Sequence, residues 1–339
     1  MRIGLVYDLR DDYRALGFSE EAIAEFDSKE TIDEIAAALE RNGARVERIG
    51  SGRALAKAFA SGARFDLVFS IAEGVKGRNR EGQVASLCEL YDQPYVFSDA
   101  LTISATLDKA VAKRLVRDCG IPTADFAVLR RGADARSVAL PFPVFVKPIA
   151  EGTGKGCERA SKVFNRAELE AAAEDLVRRF AQAAIAEPYL PGREFTVGLV
   201  GTGDEARVVA VMEVVLKANA EEGIYSYVNK EECEERVIYK LADDAEARLC
   251  AKHALDAYCA LECRDAARLD FRSDAAGVPQ FLEANPLAGL HPHHSDLPIL
   301  TTLAGKTYDW LIGEILKSAA KRYGLPAPKA CAKEAASAA

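Results

Sequence analysis

Short apolar runs alternate with segments of helical period through the first hundred residues, and that alternation leaves few folds open. Ile3 to Tyr7 reads as a buried strand. Between Ser28 and Asn42, the residues Ile32, Ile35, Ala36 and Leu39 recur at helical spacing; Ser28 is placed to cap the helix and Gly43 to end it. Arg45 to Ile49 and Asp66 to Ile71 read as the next strands, and Glu81 to Tyr91 as the next helix. Strands and helices in this order predict an open parallel sheet with helices on its faces. Ligands of such sheets sit beyond the carboxyl ends of strands. The polar loop from Glu73 to Arg80 is therefore a candidate site; a solvated loop is the equal alternative.

The pattern changes after residue 100. Leu107 to Cys119 reads as a helix stopped by Gly120-Ile121-Pro122, Val144 to Lys147 as a short strand before a glycine-rich loop, and Arg166 to Gln182 as a helix. Glu194 to Val200 and Arg207 to Leu216 read as neighbouring strands. A helix from about Asp243 to Leu261 follows, then strands Ala267 to Arg272 and Gln280 to Ala284, a loop, and a last helix around Trp310. A chain of 339 residues suits two or three domains. The expected division is an α/β unit over 1–100, then α+β units over 101–190 and 191–325. An Ala- and Lys-rich tail over 326–339 has little to bury.

The formal charge of −8 argues against a general nucleic-acid binder, and no apolar run approaches the ~20 residues that span a bilayer. The N-terminus enters a strand pattern directly and does not read as a signal peptide. Eight scattered cysteines with no C-x-x-C pair read as reduced thiols, so a cytoplasmic location is expected.

Three places carry chemistry. Arg268-Leu269-Asp270 and Glu283-Ala284-Asn285 lie on or just after two strands joined by a turn from Asp274 to Pro279. Alternate strand residues share a face, so antiparallel pairing would bring the four polar groups together. Two carboxylates and an amide oxygen are the hard ligands that Mg²⁺ takes alongside phosphates. Arg268 is placed to fork onto a phosphate. Alone, the pair reads equally as a solvated hairpin face. The second place is Val144-Phe145-Val146-Lys147-Pro148 with the loop Glu151-Gly152-Thr153-Gly154-Lys155-Gly156. A strand-ending lysine and close-approaching backbone N–H groups suit phosphate, although a plain hairpin has the same look and the Walker A spacing is absent. The third is Ala186-Glu187-Pro188-Tyr189-Leu190 with Gly192-Arg193-Glu194, which suits a nucleotide base or, read alone, a loop between strands.

The order of these signals is more specific than any one of them. Asp108-Lys109, Val146-Lys147-Pro148, Glu151-Gly152-Thr153-Gly154, Glu187-Pro188-Tyr189-Leu190, Glu194-Phe195-Thr196-Val197, Lys230, Arg268-Leu269-Asp270 and Glu283-Ala284-Asn285-Pro286 together resemble the D-alanine–D-alanine ligases and their relatives. The resemblance runs from about residue 1 to 317. It implies an ATP-grasp fold behind an N-terminal open parallel α/β domain, and an ATP-dependent carboxylate–amine ligase that works through an acyl phosphate. It further implies that Lys109 and Lys147 bind ATP phosphates. Glu187, Tyr189, Leu190 and Glu194 would hold the adenosine, and Lys230 would reach the γ-phosphate. Asp270, Glu283 and Asn285 would ligate two Mg²⁺ ions, with Mn²⁺ a substitute. Arg268 and the Gly289 N–H would stabilise the tetrahedral intermediate. Glu151 and Thr153 begin a mobile substrate loop, and Asn219 to Glu235 is a second lid. Ser295 and Leu297 fall in the segment that would hold the second substrate's carboxylate. Amino acids or amines, as small-molecule substrates, are the implied partners, and a homodimer is the assembly the resemblance suggests.

The departures from the family pattern gather on one side. The N-terminal G-x-S-x-E-R tract is absent; Tyr7-Asp8-Leu9-Arg10 and a stretch through Asp27 replace it, with Glu25 or Asp27 as substitutes. Glu231, rather than a tyrosine, follows Lys230. The loop Gly289-Leu290-His291-Pro292-His293-His294-Ser295-Asp296 holds three of the four histidines. Zinc is one reading of that loop. Substrate recognition by His291 or His294 is the preferred one. An intact nucleotide side beside an altered substrate side predicts the same reaction on other substrates. The alternatives are D-alanine–D-alanine ligase proper in cell-wall synthesis and an ATP-binding regulatory protein without turnover.

Overall fold

A computed structural model describes residues 1–220, 229 and 232–326. The first sheet is parallel, in the order β2-β1-β3: β1 is Arg2–Val6, β2 is Arg45–Gly50 and β3 is Leu67–Ser70. All of β3, and β1 apart from Arg2, is buried, as befits strands covered on both faces. A short helix α1, Arg10–Ala15, precedes α2, Lys29–Arg41. The Ser28 side chain accepts from the Thr31 N–H, and Thr31, Ile32, Ile35, Ala36, Ala38 and Leu39 are buried. Gly43, at φ +80°, ends the turn that follows. Helix α3, Gly52–Ala60, was not anticipated, whereas α4, Gln83–Leu90, starts two residues later than its periodicity suggested. That delay leaves Glu81 in the loop.

The helix expected over Leu107 to Cys119 is α6 (Lys109–Asp118), and a separate, unexpected helix α5 (Ala100–Leu107) precedes it. Asp108 separates them: its extended backbone breaks α5, and its carboxylate accepts from the Ala110 and Val111 N–H groups, each at 3.1 Å. The second sheet is antiparallel in the order β4-β7-β5-β6, with β4 Ala127–Leu129, β5 Val144–Pro148, β6 Lys162–Val163 and β7 Ala184–Pro188. Helix α7, Arg166–Phe180, is capped by Asn165 and packs on it.

The third sheet has five antiparallel strands in the order β10-β9-β8-β11-β12. They are β8 (Glu194–Val200), β9 (Arg207–Leu216), β10 (Val237–Leu241), β11 (Ala266–Ser273) and β12 (Pro279–Asn285). Helix α8, Ala245–Ala260, covers one face through Ala247, Cys250, Ala254, Ala257 and Tyr258. Helix α9, Asp296–Leu303, stands where a loop was expected, and α10, Tyr308–Arg322, packs against α2 in one core with β1 and β3. Pro298 sits in the first turn of α9, where its missing N–H costs nothing. Among the described residues no helix is long and apolar enough to cross a membrane. Lys230, Glu231, most of the lid expected over Asn219 to Glu235, and nearly all of the expected tail lie outside the described residues.

Candidate active site

Strands β11 and β12 set Arg268 opposite Asn285 and Asp270 opposite Glu283. The hairpin geometry read from the sequence is therefore present. The Arg268 guanidinium pairs with Asp270 and lies 3.4 Å from Asp296. Thr196 on β8 donates to Asp270 Oδ1 at 2.9 Å, and Asn285 Nδ2 lies 3.5 Å from Asp270 Oδ2. Asp270 and Glu283 face one cleft, whereas Arg268 and Asn285 face a second cavity. The ends of the two strands thus form a seam between the two spaces.

The first cleft also collects Lys109, Lys147, Glu151, Glu187, Tyr189, Leu190 and Glu194, which are far apart in sequence. Lys109 Nζ lies 3.1 Å from Glu283 Oε2 and donates to the Glu151 carbonyl at 2.6 Å. Lys147 Nζ lies 3.2 Å from Glu187 Oε2, and the other Glu187 oxygen meets Lys113. Burial opposes ionisation of Glu187, yet Lys113 and Lys147 hold its carboxyl below the usual range. Burial likewise opposes the charge on Lys147, and Glu187 and Glu283 overcome it and raise its pKa. Burial prevails at Lys113 and lowers its pKa. Phe145, Pro188, Leu190 and Leu282 give the cleft apolar walls. Tyr189 is fixed by Arg272, which donates to its hydroxyl at 3.2 Å and to Glu194 Oε2 at 3.1 Å, and by Lys162 3.6 Å above its ring.

The second cavity lies between the first and third sheets. Glu73, Thr153, Gly289, His291, His294 and Ser295 line it with Arg268. Leu297 departs from expectation: its side chain is buried in the core with α10 and leaves Ser295 and Asp296 to face the cavity. No hydrogen bond engages the Gly289 N–H among the described residues, and a Cβ at Gly289 would sit 2.8 Å from Ser295 Oγ. The Ser295 hydroxyl accepts from the His291 N–H at 3.0 Å. Burial keeps His291 below the ordinary histidine pKa, although Glu30 lies 3.9 Å away. Among the described residues no three His, Cys, Asp or Glu side chains gather as a metal site.

Several functional residues escaped the sequence reading. Lys113 is one helical turn beyond Lys109 on the buried face of α6, and that spacing was a readable signal. Arg80 lies in the candidate loop, but its partners were not readable. It donates to Glu25 at 3.0 Å and to the Ala150 carbonyl at 2.8 Å. Lys155 pairs with Glu151 and lies 3.4 Å from Glu25, and Glu25 accepts from the Gly152 N–H. Burial opposes the Glu25 charge, but Arg80 and Lys155 hold its carboxyl low. This group ties the segment before α2 to the glycine loop. Thr153 and Gly154 in that loop have positive φ, +47° and +75°.

Comparison with known proteins agrees with this geometry. The family model of the D-Ala–D-Ala ligase C-terminus matches residues 115–317. The D-alanine–D-alanine ligase of Bordetella petrii is 34% identical over 279 residues, covering 81% of this chain and 82% of the relative. The chain belongs to the D-alanine–D-alanine ligase family. This ligase is an ATP-dependent carboxylate–amine ligase. An uncharacterised protein of Sinorhizobium fredii, y4sG, is also 34% identical, over 76% of this chain and 75% of its own. The ligase has the fold of the Bacillus anthracis D-alanine–D-alanine ligase solved with ATP, at a TM-score of 0.70 and 22% identity over 96% of this chain and 99% of that one. The VanG D-Ala:D-Ser ligase of Enterococcus faecalis has the same fold, at a TM-score of 0.70 and 20% identity over 94% and 99%. The ATP-grasp architecture and the enzyme class expected from the sequence are thus met.

Proposed function

We propose that this ligase activates one amino acid's carboxylate with ATP in the first cleft and joins it to the amine of a second substrate in the adjoining cavity. The seam formed by β11 and β12 carries the proposal, because it presents Asp270 and Glu283 to one space and Arg268 and Asn285 to the other. The γ-phosphoryl passes from ATP to a carboxylate oxygen across that seam, and ADP leaves with the P–O bond pair. The amine nitrogen then attacks the carbonyl carbon, phosphate leaves with the C–O bond pair, and the amine gives up a proton. Negative charge gathers on oxygen in both steps, so fixed cations and aimed donors supply most of the catalysis.

Lys109 and Lys147 are assigned to the phosphates, Tyr189, Leu190 and Glu194 to the adenosine, and Glu187 to holding Lys147 and Lys113 in place beside it. Asp270, Glu283 and Asn285 fit Mg²⁺: two carboxylates and an amide leave coordination positions for phosphate oxygens. That metal would supply charge neutralisation on the transferred phosphoryl group. Arg268 and the Gly289 N–H are assigned to the oxyanion. Glu151 and Thr153 belong to the loop that excludes water, without which the acyl phosphate would hydrolyse. Lys230 keeps its assignment to the γ-phosphate, from outside the described residues. ATP dependence, with seven free cysteines among the described residues, supports a cytoplasmic reaction.

Amino acids and amines, singly and in pairs, test the proposal by ADP release with mass spectrometry of products. ADP and an amide that both require a carboxylate and an amine are the expected result. ATP binding with no ADP from any pair would leave a nucleotide-binding protein instead. A second reading is ligation of D-alanine to itself, favoured by the 34% identity to the Bordetella petrii ligase. Fastest turnover with D-alanine alone would decide for it.

A further inference from the structure

The second cavity carries more negative charge than a simple zwitterion answers. Around the glycine loop, the carboxylates of Glu25, Glu81 and Glu151 share two cations, Arg80 and Lys155. Asp27 and Glu73 line the second cavity with Glu25 and Glu81, and among the described residues neither Asp27 nor Glu73 makes an ion pair or side-chain hydrogen bond. The nearest further cation lining it is Arg10, whose guanidinium is held by the Ala24 and Phe26 carbonyls at 3.0 and 3.2 Å. Arg268 at the far end is engaged with Asp270 and Asp296, and Lys109 with Glu283. Among the described residues, Glu25, Glu81, Glu151, Asp27 and Glu73 thus meet three cations, Arg80, Lys155 and Arg10. An enclosed carboxylate without a partner costs several kcal/mol, or takes up a proton to avoid that cost. Burial, ahead of the neighbouring charges, pushes Asp27 up to about 7 and Glu73 well above the carboxylate range.

A second observation at the same place points to a ligand. Thr153 Oγ1 is buried and has no hydrogen-bond partner among the described residues, and Thr153 lines this cavity with Asp27 and Glu73. An uncharged amino acid brings one α-ammonium, which satisfies one carboxylate. The remaining carboxylate and the orphaned hydroxyl both await a further donor.

We propose that the amino acid held between Asp27, Glu73 and Thr153 carries a second cationic group, an amine or guanidine on its side chain, in addition to its α-ammonium. The inference rests on the ligase reading of the same site and names its substrate class. The side-chain cation takes one unpaired carboxylate, the α-ammonium takes the other, and the α-carboxylate turns toward Arg268 and the seam.

Matched pairs test it: lysine against norleucine, ornithine against norvaline, and arginine against citrulline, each as both enantiomers, alone and with alanine. The readout is ADP release by the full-length enzyme with Mg²⁺. The charged member of at least one pair is expected to show ten-fold or greater kcat/KM over its neutral counterpart. Glu73→Gln and Asp27→Asn are expected to bring that ratio toward one while melting no lower than wild type, since each removes an enclosed charge. ADP release with neutral members equal to or better than charged ones would overturn the inference and leave the ligase standing. A charged preference untouched by both variants would overturn the assignment of these carboxylates. No ADP from any amino acid, alanine included, would overturn the ligase reading and the inference with it.

Discussion

In the proposed nucleotide cleft, the buried charges are answered by other side chains; in the proposed amino-acid cavity, Asp27 and Glu73 are not, among the described residues. Lys109 rests on Glu283, and Lys147 and Lys113 rest on Glu187. Asp27 and Glu73, by contrast, have no cation within ion-pair distance among the described residues. The difference follows from what each space receives. A polyanion needs several cations held close together, and in its absence those cations repel one another unless carboxylates stand between them. Glu187 and Glu283 serve that purpose, so the cleft is assembled before ATP arrives. On the proposed reading the cavity on the other side receives a cation, and its carboxylates tolerate solitude because a proton can cover them until it comes. The family model begins at residue 115 and so includes nearly all of the first space while omitting the N-terminal wall of the second.

The sharpest way to break this comparison is at the seam. Asp270→Asn or Glu283→Gln should lower kcat by about 10³-fold or more with Mg²⁺ present, an effect of the size seen when an electrostatic contact in a transition state is lost. Folding should survive, as read by circular dichroism and melting. Chelation of divalent metal by EDTA should abolish turnover in wild type, and restored Mg²⁺ should recover it. Near-full activity of Asp270→Asn would remove the metal assignment and, with it, the distinction between the two spaces.

Lys113→Met probes the preassembled side. The variant leaves Glu187 with one cation instead of two in a fully buried setting, and unpairing a buried ion costs about 3 kcal/mol or more. Urea denaturation should show that loss, and calorimetry should show weaker ATP binding. Unchanged stability would mean that Glu187 does not depend on Lys113. The smaller effect is expected at the clamp on the glycine loop. Arg80→Met removes the link from Glu25 to the Ala150 carbonyl. It should raise the amino-acid KM about ten-fold, the equivalent of about 1.4 kcal/mol, with the ATP KM little changed. An equal rise in both would show that the clamp serves the two spaces alike.

The nucleotide side was legible in the sequence because its signals are local. Strand alternation alone puts Arg268 beside Asp270 and Glu283 beside Asn285. A lysine that ends an apolar strand announces itself, and so does a run of glycines. The substrate side depends on contacts that no window of sequence contains. Arg80 and Glu25 are 55 residues apart, and Glu25 meets Gly152 across 127. Helix α9 was hidden because Leu297-Pro298-Ile299-Leu300 lacks the polar half of an amphipathic period and Pro298 reads as a breaker. Leu297 was assigned to the substrate segment by the family resemblance, and α9 turns its side chain into the core. Glu25, Asp27 and Glu73 were readable as candidates, but which of them is paired and which is left alone was not.

Asp27 offers the gentlest test, because it separates burial from catalysis. Its pKa rises from an ordinary 3.8 to about 7, through burial first, with Arg10 opposing and Asp8 reinforcing. An acid whose folded pKa lies above its unfolded value binds more protons folded than unfolded between the two. Stability therefore falls as pH rises from about 4 to about 7 and levels off above. Asp27→Asn removes that dependence. The variant should match wild type near pH 4 and gain about 1–2 kcal/mol at pH 8, less than the full shift of 1.4 kcal/mol per unit because the carboxylate reaches cavity water. Denaturation curves at the two pH values measure the difference. A cationic amino acid bound at pH 8 should close the gap by stabilising wild type more than the variant, whereas ATP should stabilise both equally. If ATP alone closes the gap, the carboxylate is coupled to the nucleotide cleft, and the two sides of the seam are one electrostatic unit.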